Sequence, residues 1–423
     1  MQFHKNNVML PGVKNCCKFN YIRVLKITVG NVPLLIHSIK KMKKIQLVDL
    51  NGQYEKIKDE IDAAILNVVR SSAFINGPEV AAFQKDLEKY LEVQNVIPCA
   101  NGTDALQIAL MALDVKPGDE VITPSFTYIA TAEVIALLHL KPVFADVDPD
   151  TFTIKPGEVE KLISANTKAI IPVHLYGLCA DMEPILKIAE KNNIAVIEDA
   201  AQALGSVYTF SDGTKKKAGT MGTIGCTSFF PSKNLGAFGD GGAIFTNDDS
   251  LAKKIRMVSN HGQSEKYIHD IIGVNSRLDS IQAAILRIKL KYLDQYVSAR
   301  NNAAAYYDKA FINLRGFQIP ARFEKSNHGF HQYTLKLNGV NRNDLLKYCE
   351  QKGIPANVYY PIPIHLQNGF KNLDQRQGDL SVTEDLMEKV ISLPMHTELS
   401  EDQLKYICDS IVEFSEKKST VFV

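Results

Sequence analysis

Three short polar clusters hold the residues whose types and order point to chemistry. The first is Cys99-Ala-Asn-Gly-Thr-Asp104, where Gly102 permits a tight turn and Thr103 offers a hydroxyl and an amide at a helix start. A helix N-terminus with free amides is a natural seat for phosphate, although Thr103-Asp104 alone reads equally as an ordinary helix cap. The second is Glu198-Asp199-Ala-Ala-Gln202, which follows the apolar run Ile194–Ile197. An acid at the end of a buried strand is costly unless it meets a cation. A pyridinium nitrogen is such a cation, and Gln202 is then within reach of a ring hydroxyl. Taken alone, the same Asp is a helix cap. The third cluster runs from Ser228 to Ala243 and centres on Lys233, between an apolar strand and a glycine-rich loop. A desolvated lysine can lose its proton and attack an aldehyde. A lone loop lysine is a solvated charge. What outweighs the bland readings is the ordered set of phosphate turn, strand-end acid and lysine.

The elements that must position these clusters alternate in type. VIPCA, EVITPS, KPVFADVD, KAIIPVHLYG, IAVIEDAAQ, GCTSFFP and GAIFTND read as strands, several apolar on both faces. Between them, helices are expected at Asp104–Leu113, Ile129–Leu140, Pro156–Ile163 and Met182–Lys191, separated by turns such as Lys116-Pro-Gly-Asp119. Such alternation predicts an α/β fold with a mostly parallel central sheet and helices on both faces. Ligands of open sheets sit beyond the carboxyl ends of the strands, where all three clusters fall. The Gly239–Gly242 run matches neither the dinucleotide nor the P-loop pattern. A long helix is expected over Ser280–Lys309, opening a smaller C-terminal α+β domain at residues 281–423 after a large domain at 42–280. The polar stretch Thr209–Lys217 reads as a surface loop near the substrate mouth.

Composition narrows the classes. A chain of 423 residues with a net charge of +1 has no field to attract nucleic acid or anionic lipid, so anion binding must be local. The seven cysteines form no CxxC pair, which points to reduced thiols in a cytoplasmic protein and not to disulfides or a metal site. The apolar run Ile27–Ile39 is too short to span a membrane and is broken by Gly30, Asn31 and Pro33. Residues 1–41 read as an N-terminal extension, disordered or not native, with Met42 the natural start.

Together NGTDAL, PSFTYIATAE, EDAAQALG, TSFFPSKNLGAFGDGGAIFTND and GVNSRLDSIQAAIL resemble the DegT/DnrJ/EryC1/StrS sugar aminotransferases over about Ile45 to Pro394. The resemblance implies a fold-type I transferase, similar to aspartate aminotransferase, that uses pyridoxal 5'-phosphate with pyridoxamine phosphate as intermediate. It makes Lys233 the covalent attachment point and proton carrier, Asp199 the partner of the pyridine nitrogen and Gln202 that of the ring oxygen. Gly102, Thr103 and Ser228 would hold the phosphate, and Tyr128 would stack on the ring. Asn275 would reach the phosphate from a second subunit, which implies a homodimer with shared sites.

Within the family, CANGTDALQIALMAL, His261-Gly-Gln263 and Tyr360-Pro-Ile-Pro363 resemble the branch that 3-aminates UDP-2-acetamido-2-deoxy-3-keto-D-glucuronate, with L-glutamate as donor, for cell-surface polysaccharide such as O-antigen. Arg277, Tyr359, Tyr360 and His365 are the substrate-binding candidates; a guanidinium fork suits a carboxylate. The sequence departs from that branch at Tyr359, where histidine is expected. That departure bears on the uronate, and a dTDP- or UDP-keto-6-deoxyhexose aminotransferase stays open as an alternative, as do a lyase or desulfurase on the same fold and a non-catalytic binding protein.

Overall fold

The structure, a computed structural model, describes residues 43–373 and 375–419, without the side chains of 418 and 419. The expected extension at 1–41 and the start at Met42 lie outside the described residues.

The first half builds one large sheet and its cover. Helices α1 (Leu50–Ser71) and α2 (Pro78–Leu91) lead into β1 (Asn95–Cys99) and α3 (Gly102–Ala112). Then come β2 (Glu120–Pro124), α4 (Ala130–Leu137), β3 (Lys141–Ala145), α5 (Pro156–Leu162) and β4 (Thr167–Ile170). Helix α6 (Met182–Asn192) and β5 (Ala195–Asp199) precede a hairpin of β6 (Val207–Thr209) and β7 (Lys215–Lys217). Strands β8 (Ile224–Ser228) and β9 (Gly242–Thr246) and helix α7 (Asp249–Ser259) complete this part. All seven expected strands form, and they assemble in the order β1-β9-β8-β5-β4-β2-β3. Only β9 runs against the others. The four expected helices form within a few residues of their expected ends.

Alternation along each strand explains why both faces are covered. Ile97, Val121, Ile171, Ile197 and Ile244 pack on one face against α3 and α7. Their neighbours turn the other way: Ile122, Ile170 and Val196 meet α5 and α6, and Val96 and Phe245 meet α2. Successive side chains of a strand point to opposite faces, so runs apolar at every position require two apolar layers.

The remainder comprises a short hairpin, β10 (Gln263–Glu265) and β11 (Ile268–His269), then α8 (Ser280–Leu290) and α9 (Leu293–Phe311). Strands β12 (Phe317–Gln318), β13 (Tyr333–Leu337) and β14 (Val390–Leu393) make a second, antiparallel sheet, with α10 (Arg342–Gln351), α11 (Ser381–Lys389) and α12 (Glu401–Ser419). This sheet has its own core of Tyr307, Phe311, Leu335, Leu345, Ile391 and Ile407, which Ile45 joins from the start of the described chain.

Two expectations are corrected here. The single helix over Ser280–Lys309 is two, because Lys291 and Tyr292 bond back three residues, to Ile288 and Lys289, and tighten the turn. The break lets α8 cover α1 and α2 while α9 turns its Tyr307 and Phe311 to the second core. The Thr209–Lys217 stretch is the β6–β7 hairpin, and none of its residues lines the cleft described below. Tyr208 anchors it instead to the start of α6, with its hydroxyl on Asp181 at 2.5 Å and its ring against Phe210.

The sheet leaves no room where β8 passes the turn after β7. A β-carbon on Gly225 would lie 1.8 Å from the Gly219 carbonyl oxygen, a backbone atom that cannot step aside. Gly225→Ala is expected to cost about 3 kcal/mol of stability through overpacking. Thermal unfolding measures this, and an unchanged midpoint would contradict the packing described.

Candidate active site

Strand register gathers the three clusters. Cys99 on β1 and Ser228 on β8 both pair with Gly242 at the start of β9, so the loops after β1 and β8 leave the sheet side by side. On the other side of β8, Asp199 pairs with Cys226. Glycine is required where these loops touch. A β-carbon on Gly102 would sit 2.7 Å from the Ser228 β-carbon, and one on Gly242 would sit 2.4 Å from the Asn101 carbonyl oxygen.

Asn101 caps α3 by accepting the Asp104 amide at 2.8 Å. The amides of Gly102 and Thr103, in the same first turn, have no partner among the described residues. They carry the positive end of the helix dipole toward the Ser228 hydroxyl, which makes a seat for an anion.

Asp199 is nearly buried, and its carboxylate is oriented by two donors. The Thr131 hydroxyl donates to one oxygen at 2.8 Å and the Ala201 amide to the other at 3.1 Å. Gln202 accepts the Tyr176 amide at 2.9 Å and donates to the Tyr360 hydroxyl at 3.1 Å. Glu198 points to the other side of the strand. It is fully buried, takes the amides of Gly219, Met221 and Gly222, and meets the His174 ring at 2.8 Å. Those bonds use its oxygens completely, so Asp199 is the carboxylate left to a ligand.

Lys233 follows a turn in which its amide donates to the Phe230 carbonyl at 2.8 Å, with Pro231 at the second position as such turns prefer. Its side chain is half-buried and makes no ion pair among the described residues. Desolvation pulls its pKa down from 10.5 to about 8, while the negative charge of Asp199 pulls the other way. About a tenth of the amine is thus free base at pH 7, and about half at pH 8. The loop beyond it is held from below, where the buried Lys289 ammonium donates to the Gly236 carbonyl.

These groups line one cleft of about 860 Å³ together with Tyr128, Tyr176, Tyr359 and Tyr360. Tyr128 is 56% exposed and lies 6.2 Å, ring centre to ring centre, from Tyr360. The Tyr176 hydroxyl donates to the Tyr359 carbonyl. A phosphate seat, a buried acid and a lysine of lowered pKa in one cleft suit an aromatic aldehyde that carries a phosphate.

A model of the DegT/DnrJ/EryC1/StrS aminotransferase family matches residues 55–412. The chain belongs to this family. Two relatives are each 46% identical to it. One is the UDP-2-acetamido-2-deoxy-3-oxo-D-glucuronate aminotransferase of Pseudomonas aeruginosa, over 87% of this chain and 99% of the relative. The other, from Geobacillus stearothermophilus, is described as a pleiotropic regulatory protein and matches over 88% and 98%. Among solved structures, ntda from Bacillus subtilis with bound cofactor pmp superposes with a TM-score of 0.81 at 31% identity, covering 90% of this chain and 87% of that one.

In this aminotransferase-family chain, three expected site residues lie away from the cleft. Asn275 and Arg277 flank Ser276, whose hydroxyl accepts the Ala100 amide at 3.0 Å. Alternation along that extended segment leaves Asn275 exposed and Arg277 half-buried, outside the lining. His365 is buried between the Ser125 hydroxyl at 2.8 Å and Glu384 at 3.3 Å. Both ring nitrogens are engaged by described residues and His365 does not line this cleft, so the contact with substrate expected of it is not seen here. Conversely, Thr131, Tyr176, His331 and Gln332 line the cleft without having been expected. PSFTYIATAE contains Thr131, so that motif carried its signal; His331 and Gln332 stand far along the chain with none.

The Lys233 environment sets a measurable pH dependence. In cofactor-free protein, acylation of Lys233 should rise with a midpoint near pH 8 and not near 10.5. Asp199→Asn should move that midpoint lower, because it removes the charge that favours the ammonium form. Mass-spectrometric labelling across pH checks both, and a midpoint above that of the parent in Asp199→Asn would refute the coupling.

Proposed function

We propose that this chain is the pyridoxal 5'-phosphate-dependent aminotransferase that moves an amino group, from L-glutamate, to the keto carbon of a nucleotide-linked sugar. The observation that carries the reading is the convergence of Lys233, Asp199 and the Gly102–Thr103 turn on one cleft, in a chain of this family. The sharpest form takes UDP-2-acetamido-2-deoxy-3-keto-D-glucuronate as acceptor, supported by the Pseudomonas aeruginosa relative. A keto-6-deoxyhexose is the alternative acceptor, favoured by tyrosine at position 359. The setting proposed is cytoplasmic, in the making of cell-surface polysaccharide. Among the described residues no helix is long and apolar enough to cross a membrane. The same reading divides the chain near residue 280, between the seven-stranded sheet and the antiparallel one.

When bound, the cofactor accepts electrons from the carbon that loses its proton and carries the amino group between donor and acceptor. The chain supplies the rest. Asp199, oriented by Thr131, would keep the pyridine nitrogen protonated. The Gly102 and Thr103 amides and the Ser228 hydroxyl would hold the phosphate, Gln202 the ring oxygen, and Tyr128 one ring face. The Lys233 amine would condense with the aldehyde carbon with loss of water and, once displaced by the donor's amine, would take the proton from the donor carbon and return it one position away. Proton transfer by a placed side chain is worth about 10²–10⁴-fold.

The charge of the cleft favours the shared-site homodimer. Its described lining holds Asp104, Asp199 and Asp240, with Lys233 as the one cation. A cofactor phosphate and a nucleotide diphosphate need more positive charge than that. A second copy would bring Asn275 and Arg277, which stand outside their own cleft.

Two other classes fit less well. Burial pushes the Cys226 thiol well up, so it stays a neutral thiol inside β8 and unsuited to a desulfurase. A regulatory binder, as the description of the Geobacillus relative invites, has no use for a desolvated lysine beside a buried acid.

Absorbance of the cofactor-loaded protein tests the reading. L-Glutamate should bleach the band of the lysine-bound cofactor, and a UDP-3-keto-uronate should restore it; Lys233→Ala should abolish both. Recovery only with a keto-6-deoxyhexose would exchange the acceptor, and no bleaching with any amino donor would refute the enzyme. For the shared site, Lys233→Ala and Arg277→Ala proteins, each inactive, should regain about a quarter of wild-type activity when refolded together. No recovery on mixing would count against residues shared across subunits.

A further inference from the structure

His331 and Gln332 line the cleft beside Lys233, yet the proposed chemistry gives them nothing to do. They are only 6% and 8% exposed. No hydrogen bond joins either side chain to another described residue, and the His331 Nδ1 is buried without a partner. An unsatisfied buried polar atom costs about 1–3 kcal/mol. A cleft-lining histidine left in this state, beside a glutamine whose side chain also has no hydrogen bond to another described residue, points to a ligand that satisfies them.

The backbone under these residues is held with unusual firmness. The Gly329 amide donates to the Gly177 carbonyl at 2.7 Å and the Gln332 amide to the Tyr176 carbonyl at 3.3 Å. Phe330 adopts a left-handed conformation (φ 43°) and stacks on His328, with ring centres 3.9 Å apart. Arg300 is buried and pairs with no carboxylate among the described residues. Its guanidinium donates to the carbonyls of Phe330 (3.0 Å), His331 (3.5 Å) and Met395 (3.0 Å). A buried cation is thus committed to fixing the two side chains at the cleft wall.

Their chemistry selects the ligand. Burial first, then the charges of Lys233 and Arg300, hold His331 well below its usual pKa, so its ring is neutral with one donor and one acceptor. The Gln332 amide also offers both. Carboxylates and phosphates accept only and favour cations. Hydroxyl groups donate and accept, and match this pair.

We propose that His331 and Gln332 form a hydroxyl-reading edge that grips the sugar ring of the nucleotide sugar on the Lys233 side of the cleft. This rests on the nucleotide-sugar reading above and adds two specificity residues to it. The edge recognises the hydroxyls that flank the reacting carbon, and the nucleotide binds elsewhere.

Calorimetric titration of the cofactor-loaded full chain tests the edge, with UDP-N-acetylglucosamine against UDP, and dTDP-glucose against dTDP. The quantity read is the ratio of the two Kd values within each pair, which isolates the sugar. His331→Phe and Gln332→Leu should each shrink that ratio about 2–13-fold, the worth of one neutral hydrogen bond, while Kd for the free nucleotide holds. His331→Asn, which keeps a donor and an acceptor, should retain more of the ratio than His331→Phe. Unchanged ratios in both variants, with wild type showing a sugar contribution, overturn the edge and leave the nucleotide-sugar reading intact. Equal weakening of nucleotide and nucleotide sugar, with a lowered melting temperature, assigns the pair to structure and overturns the proposal. Loss of glutamate-driven bleaching with the sugar ratio preserved assigns it to the amino donor and overturns it too. If wild type binds neither nucleotide nor nucleotide sugar, the edge falls together with the reading it rests on.

Discussion

Asp199 and Lys233 line one cleft, where burial works against the charge of the lysine. Burial pulls the lysine toward its neutral form and the carboxylate limits that pull, so the amine comes to rest with a pKa of about 8. Neither group could be moved alone. Without the acid, the amine would be a weaker base. Without the desolvation, it would remain an ammonium that cannot attack a carbonyl. The rest of the molecule keeps these two groups at fixed positions on the wall of one cleft.

Several buried polar groups serve that end, and each bonds to backbone groups. Glu198 draws in three amides and the His174 ring, which locks the residue next to Asp199. Lys289 holds the loop after Lys233 through the Gly236 carbonyl. Arg300 holds the segment before β13 through three carbonyls. A lysine and an arginine buried without carboxylate partners are expensive. Burial lowers their pKa to about 8 and about 10. The fold bears that cost beneath segments that lead to the cleft, where a small shift of backbone would misplace a reacting group.

The cleft is also asymmetric in polarity. One part of the lining is helix N-terminus and hydroxyl, suited to phosphate. Another part is aromatic, from Tyr128, Tyr176 and the Tyr359-Tyr360 pair, and the segment at His331-Gln332 adds neutral donors and acceptors. Such a surface distinguishes the parts of a ligand that is anionic at one end and hydroxylated at the other.

Much of this was legible from the chain alone. Seven strands could be read because each is apolar at nearly every position, which only a sheet covered on both faces accommodates. The three polar clusters could be read because each follows a strand directly, so their chemistry is local in sequence. Lys233, Asp199, Gln202, Gly102, Thr103 and Ser228 accordingly meet as expected at the cleft. The break after Leu290 was not legible, since α8 and α9 share one helical pattern and the turn between them carries the later half of α9 to the second core. His365 looked like a ligand residue until folding placed Ser125 and Glu384 on its two nitrogens. His331 and Gln332 were invisible for the opposite reason. They come to the cleft from a distant segment, and the bonds that bring them there, from Arg300, Tyr176 and Gly177, are long-range contacts that no local pattern encodes.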